Sequence, residues 1–195
     1  MKILGFVGSM RKDGNTNRLV QAVLDAAKRA ADEVETEMVY LSDLEIGPCR
    51  ACYDVCAKEP YVCVVEDDLQ KVLDRMRQAD AVVIGSALYF TVPSRLLAFM
   101  ERLSCVAHLG QFKGHKEHPL EDKPCGLVGV SFSTPPTPVL AGLQQFALEL
   151  RMRPITLKSH PFLGVAGTDK MEKDDYLKPL QNAEMLGKLL VEALT

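Results

Sequence analysis

Short apolar runs of strand length alternate with stretches of helical periodicity along this chain, and no other feature restricts its fold as much. Residues 2–7, 34–41, 81–85, 126–130 and 155–158 read as five strands. Between them, apolar residues recur every three or four positions. Leu19, Val20, Val23, Leu24 and Ala27 mark one helix face, and Leu69, Val72, Leu73 and Met76 a second. Leu96, Phe99, Met100 and Leu103 follow Pro93 as a third, and Leu140, Leu143, Phe146, Ala147 and Leu150 form a fourth. Residues 177–194 read as a C-terminal helix. This alternation predicts an α/β, doubly wound, five-stranded parallel sheet with helices on both faces. Ligands of such sheets sit outside the carboxyl ends of the strands, where the strand order reverses.

The 195 residues suit one domain, 1–195, and a chain of this length buries ~70% of its unfolded surface without disulfides. A net charge of −3 argues against nucleic acid as the main partner. No long uncharged apolar run is present, so no membrane span is expected. The first apolar run is too short and wrongly flanked for a signal peptide, which makes the cytoplasm the expected location. Thiols stay reduced there, so clustered cysteines point to metal binding or redox work rather than to structural disulfides.

Two segments carry the polar chemistry. After the first strand, Gly8-Ser9-Met10-Arg11 runs on to Gly14-Asn15-Thr16-Asn17. Phosphate binding needs N–H groups and hydroxyls converging at a helix N-terminus. Ser9 and Thr16 offer hydroxyls, Asn15 and Asn17 amides, and Arg11 a charge. Neither the Gly-Lys-Ser/Thr of a P-loop nor the Gly-x-Gly-x-x-Gly dinucleotide spacing is present. The same residue types would also serve an ordinary strand-to-helix loop with Asn or Thr as the N-cap.

The second segment is the cysteine-rich loop 47–64, with Cys49, Cys52, Cys56 and Cys63 spaced C-x2-C-x3-C-x6-C. Four thiolates in one loop suit an iron–sulfur cluster or a closed zinc site, and reduced, partly buried thiols without metal are the third reading. Asp67 and Asp68 read as N-cap and first-turn residues of the next helix. Cys105 and Cys125 read as core or interface residues. His108, His115 and His118 fit no common metal spacing and read as a solvated loop or subunit contact. The charged run 172–175 reads as a solvated helix lead-in.

Several of these pieces, in register over roughly residues 1 to 130, resemble the NAD(P)H-dependent FMN reductase and iron–sulfur flavoprotein group of the flavodoxin-like superfamily. They are Gly8-Ser9-x-Arg11-x-x-Gly14-Asn15-Thr16, then Gly85-Ser86-Ala87-Leu88-Tyr89-Phe90, then Phe99-x-Glu101-Arg102, together with the cysteine loop. The resemblance implies strand order 2-1-3-4-5 and an FMN phosphate on Ser9, Arg11, Asn15, Thr16 and Asn17. The isoalloxazine edge would meet Ser86, Ala87, Leu88, Tyr89 and Phe90, with Ser131, Ser133 and Thr134 in the loop after the fourth strand. It also implies a 4Fe–4S cluster on Cys49, Cys52, Cys56 and Cys63, and assembly as a homodimer or homotetramer. This chain departs from the group at Ala87 (in place of proline), at Leu97 (where lysine is common), at the missing glycine pair in 131–136, and at one extra residue between the second and third cysteines.

Two functions follow from the resemblance. One is an FMN-dependent oxidoreductase that takes electrons from NAD(P)H, with no acid–base residue required of the protein. The other is an electron carrier whose cluster relays single electrons from a ferredoxin-like partner. A flavodoxin fold that has lost its cofactor and serves as a binding scaffold is a third reading, which the intact 9–16 loop disfavours.

Overall fold

The computed structural model describes residues 1–58, 61–107, 118–173 and 175–195. Four apolar runs become the parallel strands β1 (Lys2–Val7), β2 (Glu35–Tyr40), β3 (Ala81–Ala87) and β4 (Pro124–Val130). Residues 3–7, 81–86 and all of β4 are buried without alternation, which is how strands covered on both faces must read. β2 lies at the edge and is partly exposed.

The strand order is β2-β1-β3-β4-β5, as the resemblance implies. The fifth strand itself is a correction: 155–158 is not a strand. Instead β5 (Arg153–Pro154) pairs with Pro124 and Cys125 at the start of β4, and β6 (Val165–Gly167) pairs with Val128, Gly129 and Val130 at its end. Ile155 N still donates to the Cys125 carbonyl at 2.8 Å, but Leu157 N turns away to the Phe162 carbonyl. Two short strands thus share the place of one.

Seven helices are described: α1 (Asn15–Ala30), α2 (Tyr53–Cys56), α3 (Leu69–Gln78), α4 (Ser94–Arg102), α5 (Ser104–Ala107), α6 (Thr137–Glu149) and α7 (Pro179–Glu192). Leu19, Val20, Val23 and Leu24 of α1 pack with Leu186 and Leu190 of α7 against Ile3 and Val7. Leu73, Met76, Phe99, Leu143 and Phe146 form the other layer with Leu4 and Phe6. Neighbouring β1 residues serve opposite layers, as the pleat requires.

One glycine fixes how α1 sits. A Cβ on Gly85 would lie 2.4 Å from Val20 Cγ2, so only glycine lets α1 lie directly on β3. Gly8 N donates to the Gly85 carbonyl at 2.8 Å and locks the ends of β1 and β3 together. Among the described residues no helix is long and apolar enough to cross a membrane.

Candidate functional site

From β1 the chain crosses to β2 on one side of the sheet, and from β3 to β4 on the other, so the order reverses between β1 and β3. A cleft opens at that point. Ser9, Arg11, Gly14, Asn15 and Thr16 line it from the β1–α1 turn, and Ala87, Leu88 and Tyr89 from the segment leaving β3. Val130, Ser131, Phe132 and Asp169 complete it.

The N-terminus of α1 carries no side-chain cap: its N-cap is Gly14, and Asn15 and Thr16 lie within the first turn. This corrects the reading of Asn or Thr as the cap. The first N–H groups of a helix have no partner inside it and stand at the positive end of its dipole. Here they sit beside the buried Ser9 and Thr16, an arrangement suited to an anion. Ser9 Oγ accepts from Arg11 N at 3.2 Å, which shapes the turn.

The remaining predicted contacts are placed unevenly. Asn15 lines the cleft, and its amide donates to the carbonyls of Thr168 (3.1 Å) and Asp169 (3.4 Å), tying α1 to the exit of β6. Asn17 accepts from the Tyr40 hydroxyl at 3.2 Å, toward β2, and does not line the cleft. Ser86 is fully buried, its hydroxyl donating to the Ala87 carbonyl at 3.0 Å. Ser131 lines the cleft and donates to the Thr134 carbonyl, whereas Ser133 and Thr134 are exposed outside it. Leu88 N donates to the Val130 carbonyl at 2.6 Å, so the loops after β3 and β4 are joined.

Met10, Tyr89, Phe90 and Phe132, all in the loops around the cleft, are exposed. Exposed aromatic and apolar side chains around a polar pocket suit a ligand with a flat ring and a charged tail. Phe132 and Asp169 were not anticipated. Phe132 lies between Ser131 and Ser133 in the loop after β4, whereas Asp169 arrives from β6, whose position the sequence does not reveal.

The cysteine loop follows β2 and is held from α4. Arg95 Nη1 donates to the Leu44 carbonyl at 2.7 Å. Arg102, two turns further on the same helix face, has a fully buried side chain. Its guanidinium pairs with Asp67 (2.6 Å and 3.1 Å) and donates to the Gly47 carbonyl. Its Nε–H donates to Cys63 Sγ at 3.3 Å. Asp67 also accepts from Leu69 N at 3.0 Å, so it, rather than the N-cap Asp68, satisfies the start of α3 through its side chain. Ala51, in the left-handed backbone region, donates its N–H to Cys49 Sγ at 3.4 Å.

Burial, followed by the neighbouring thiols of Cys52, Cys63 and Cys49, pushes the Cys56 thiol up to about 11. The four thiols therefore share one neighbourhood, although among the described residues no three His, Cys, Asp or Glu side chains gather tightly enough to hold a metal ion. Cys105 and Cys125 are core residues, and burial pushes both up to about 12. His118 is a correction: it is buried, with its ring against the Val106 carbonyl and Leu120 N, rather than solvated. His108 and His115 lie outside the described residues. Glu172 is exposed and pairs with Arg18 at 2.6 Å, as expected of a solvated lead-in.

A parallel sheet of this order with a cleft at its switch point defines the flavodoxin-like class. Within that class the chain belongs to the NADPH-dependent FMN reductase family, which residues 1–159 match. It is similar to an iron–sulfur flavoprotein of Methanocaldococcus jannaschii, 40% identical over 103 residues that make up 52% of this chain and 51% of that one. The chain thus spans about half the length of that relative. An iron–sulfur flavoprotein of Archaeoglobus fulgidus is 29% identical over 198 residues, covering 98% of this chain and 94% of its own. Among solved structures, RosB with bound 8-demethyl-8-formylriboflavin-5'-phosphate shares the fold, with a TM-score of 0.73 at 18% identity over 100% of this chain and 79% of that one.

Proposed function

We propose that the protein is an FMN-dependent oxidoreductase of the iron–sulfur flavoprotein type, with FMN in the β1/β3 cleft and a 4Fe–4S cluster on Cys49, Cys52, Cys56 and Cys63. The observation that carries the flavin reading is the uncapped N-terminus of α1 opening into a cleft with Ser9, Arg11 and Thr16. The family to which residues 1–159 belong supports FMN as the occupant. The cluster reading is supported by four thiols in one neighbourhood, with N–H donors on two of their sulfurs.

When bound, FMN supplies hydride and single-electron chemistry and the cluster supplies one-electron relay. The chain's own residues bind and orient. Ser9, Arg11, Thr16 and the first-turn N–H groups of α1 hold the phosphate, and the 87–89 and 131–132 segments flank the ring. Exposed Tyr89, Phe90 and Phe132 leave the mouth open to a donor. That donor is NAD(P)H or a ferredoxin-like protein, and the assembly is a homodimer or homotetramer.

The test is an absorption spectrum of anaerobically purified protein, with iron and acid-labile sulfide analysis. Flavin bands plus a broad shoulder, with iron and sulfide in equal amounts, are expected. Colourless protein that takes up no added FMN overturns the flavin reading. Flavin bands without iron overturn the cluster and leave a nicotinamide-dependent FMN or quinone reductase, which anaerobic titration with NADPH against reduced ferredoxin would identify.

A further inference from the structure

Resting on the reading of the cleft as the flavin site, we infer that Asn15 is a positioning residue whose side chain latches the segment 168–173 as a wall of the cleft, and that this latch sets how fast FMN is released. The start of the segment is sewn to both ends of the cleft. On the side of the β4 loop, the Gly167 carbonyl accepts from Ser131 N at 3.0 Å, and Asp169 N donates to the Phe132 carbonyl at 3.3 Å. On the side of α1, the Asn15 amide donates to the carbonyls of Thr168 at 3.1 Å and Asp169 at 3.4 Å. The Asn15 oxygen accepts from Arg18 Nη1 at 3.5 Å, so both ends of the amide are engaged by the protein. Asn15 thus has two tasks. As the first residue of α1 it turns a backbone N–H toward the anion, while its side chain holds the stretch of chain that brings Asp169 to the cleft.

Further along, the segment is held weakly. Lys170, Glu172 and Lys173 are exposed, and the Arg18–Glu172 pair that fastens them to α1 has side chains 47% and 66% exposed. A pair so open to water adds little stability. Stretches with exposed hydrogen bonds and few buried contacts open locally at small cost. The chain is buried at Thr168 and again at Leu177, so an opening between them can withdraw Asp169 while the sheet stays intact. The latch and the ligand are then coupled. A ligand that needs this wall keeps the segment closed to the same extent that the closed segment retains the ligand.

Wild-type protein is first titrated with FMN. A failure to bind overturns the flavin reading, and this inference with it, before any variant is compared. With FMN bound, two quantities are read: amide hydrogen exchange of peptides covering 168–173, and the rate of FMN release on dilution, followed by flavin fluorescence. FMN is expected to slow exchange in this segment of the wild type. Asn15→Ala should abolish that protection and release FMN about tenfold faster, the effect of losing two ordinary hydrogen bonds. Faster release from N15A with 168–173 still protected would make Asn15 a direct phosphate contact and overturn the inference, as would an unchanged release rate. Arg18→Ala leaves the cleft lining untouched but removes both the Glu172 pair and the contact to the Asn15 oxygen. It should raise release in the same direction by a smaller factor. If N15A does not accumulate as folded protein, R18A and the wild-type exchange decide. Release from R18A at the wild-type rate, or exchange in 168–173 that FMN leaves unchanged, overturns the inference.

Discussion

Arg102 and Asp67 form the kind of buried ion pair that contributes little net stability when intact and exacts a large penalty when halved. Arg102→Ala leaves Asp67 beneath the loop without its counter-ion and is expected to destabilise the iron-free protein by about 3–5 kcal/mol, read from urea unfolding. Burial alone would raise the Asp67 carboxyl, but hydrogen bonds from Arg102, Leu69 N and Gly47 N outweigh it and hold it below the usual carboxylate range. The folded state therefore binds this proton less readily than the unfolded one. The stabilisation is complete above an ordinary aspartate pKa of about 3.9 and is lost as the pH falls through the lowered folded value. The gap between wild type and R102A should narrow over that acid range. A gap that holds constant from pH 7 to pH 3 would separate the loss from the ion pair. At this scale the sequence was a partial guide. Ser9, Arg11 and Thr16 were legible because one short turn carries them all. Asn17 was not, because adjacent helical residues face different ways, and this one meets Tyr40.

Elements were easier to read than residues wherever a period could build up. The buried runs of β1, β3 and β4 and the apolar stripes of α1, α3, α4 and α6 each show several repeats. β5 and β6 have two and three residues, too few to show any period, whereas 155–158 alternates apolar and polar without pairing. What returns the chain to the sheet at β6 is Gly164. A Cβ there would stand 2.3 Å from the Leu127 carbonyl oxygen, a backbone atom that has no room to yield. Gly164→Ala should cost about 1–3 kcal/mol and loosen β6, whose exit carries Asp169 into the cleft. Thermal unfolding and FMN titration would report both effects together. Gly142→Ala is the matched control: nothing lies within 4 Å of its added Cβ in the middle of α6, so it should stabilise by about 0.5–1 kcal/mol. Equal behaviour of the two variants would remove the close approach at Leu127 as the cause.

At the scale of the whole molecule, the cleft exists only in the folded chain, because its walls come from around residues 9–16, 87–89, 130–132 and 169. A ligand that needs all four segments binds the native state alone and stabilises it by mass action, by about 2.7 kcal/mol at a hundredfold excess over Kd. For a domain of this length that corresponds to a rise of roughly 5–10 °C in Tm. The size of the rise matters less than how it divides between the two ends of the ligand. Riboflavin shares the ring with FMN but has no phosphate for the open N-terminus of α1, so its shift should be a small fraction of that with FMN. Thr16→Val keeps the methyl that packs toward Gly85 and removes the hydroxyl from the cleft. It should lower the FMN shift, leave the riboflavin shift alone and scarcely change the apo Tm. Should riboflavin protect as well as FMN does, the ring would be carrying the binding, and the α1 terminus would be an ordinary uncapped helix end with no anion to hold.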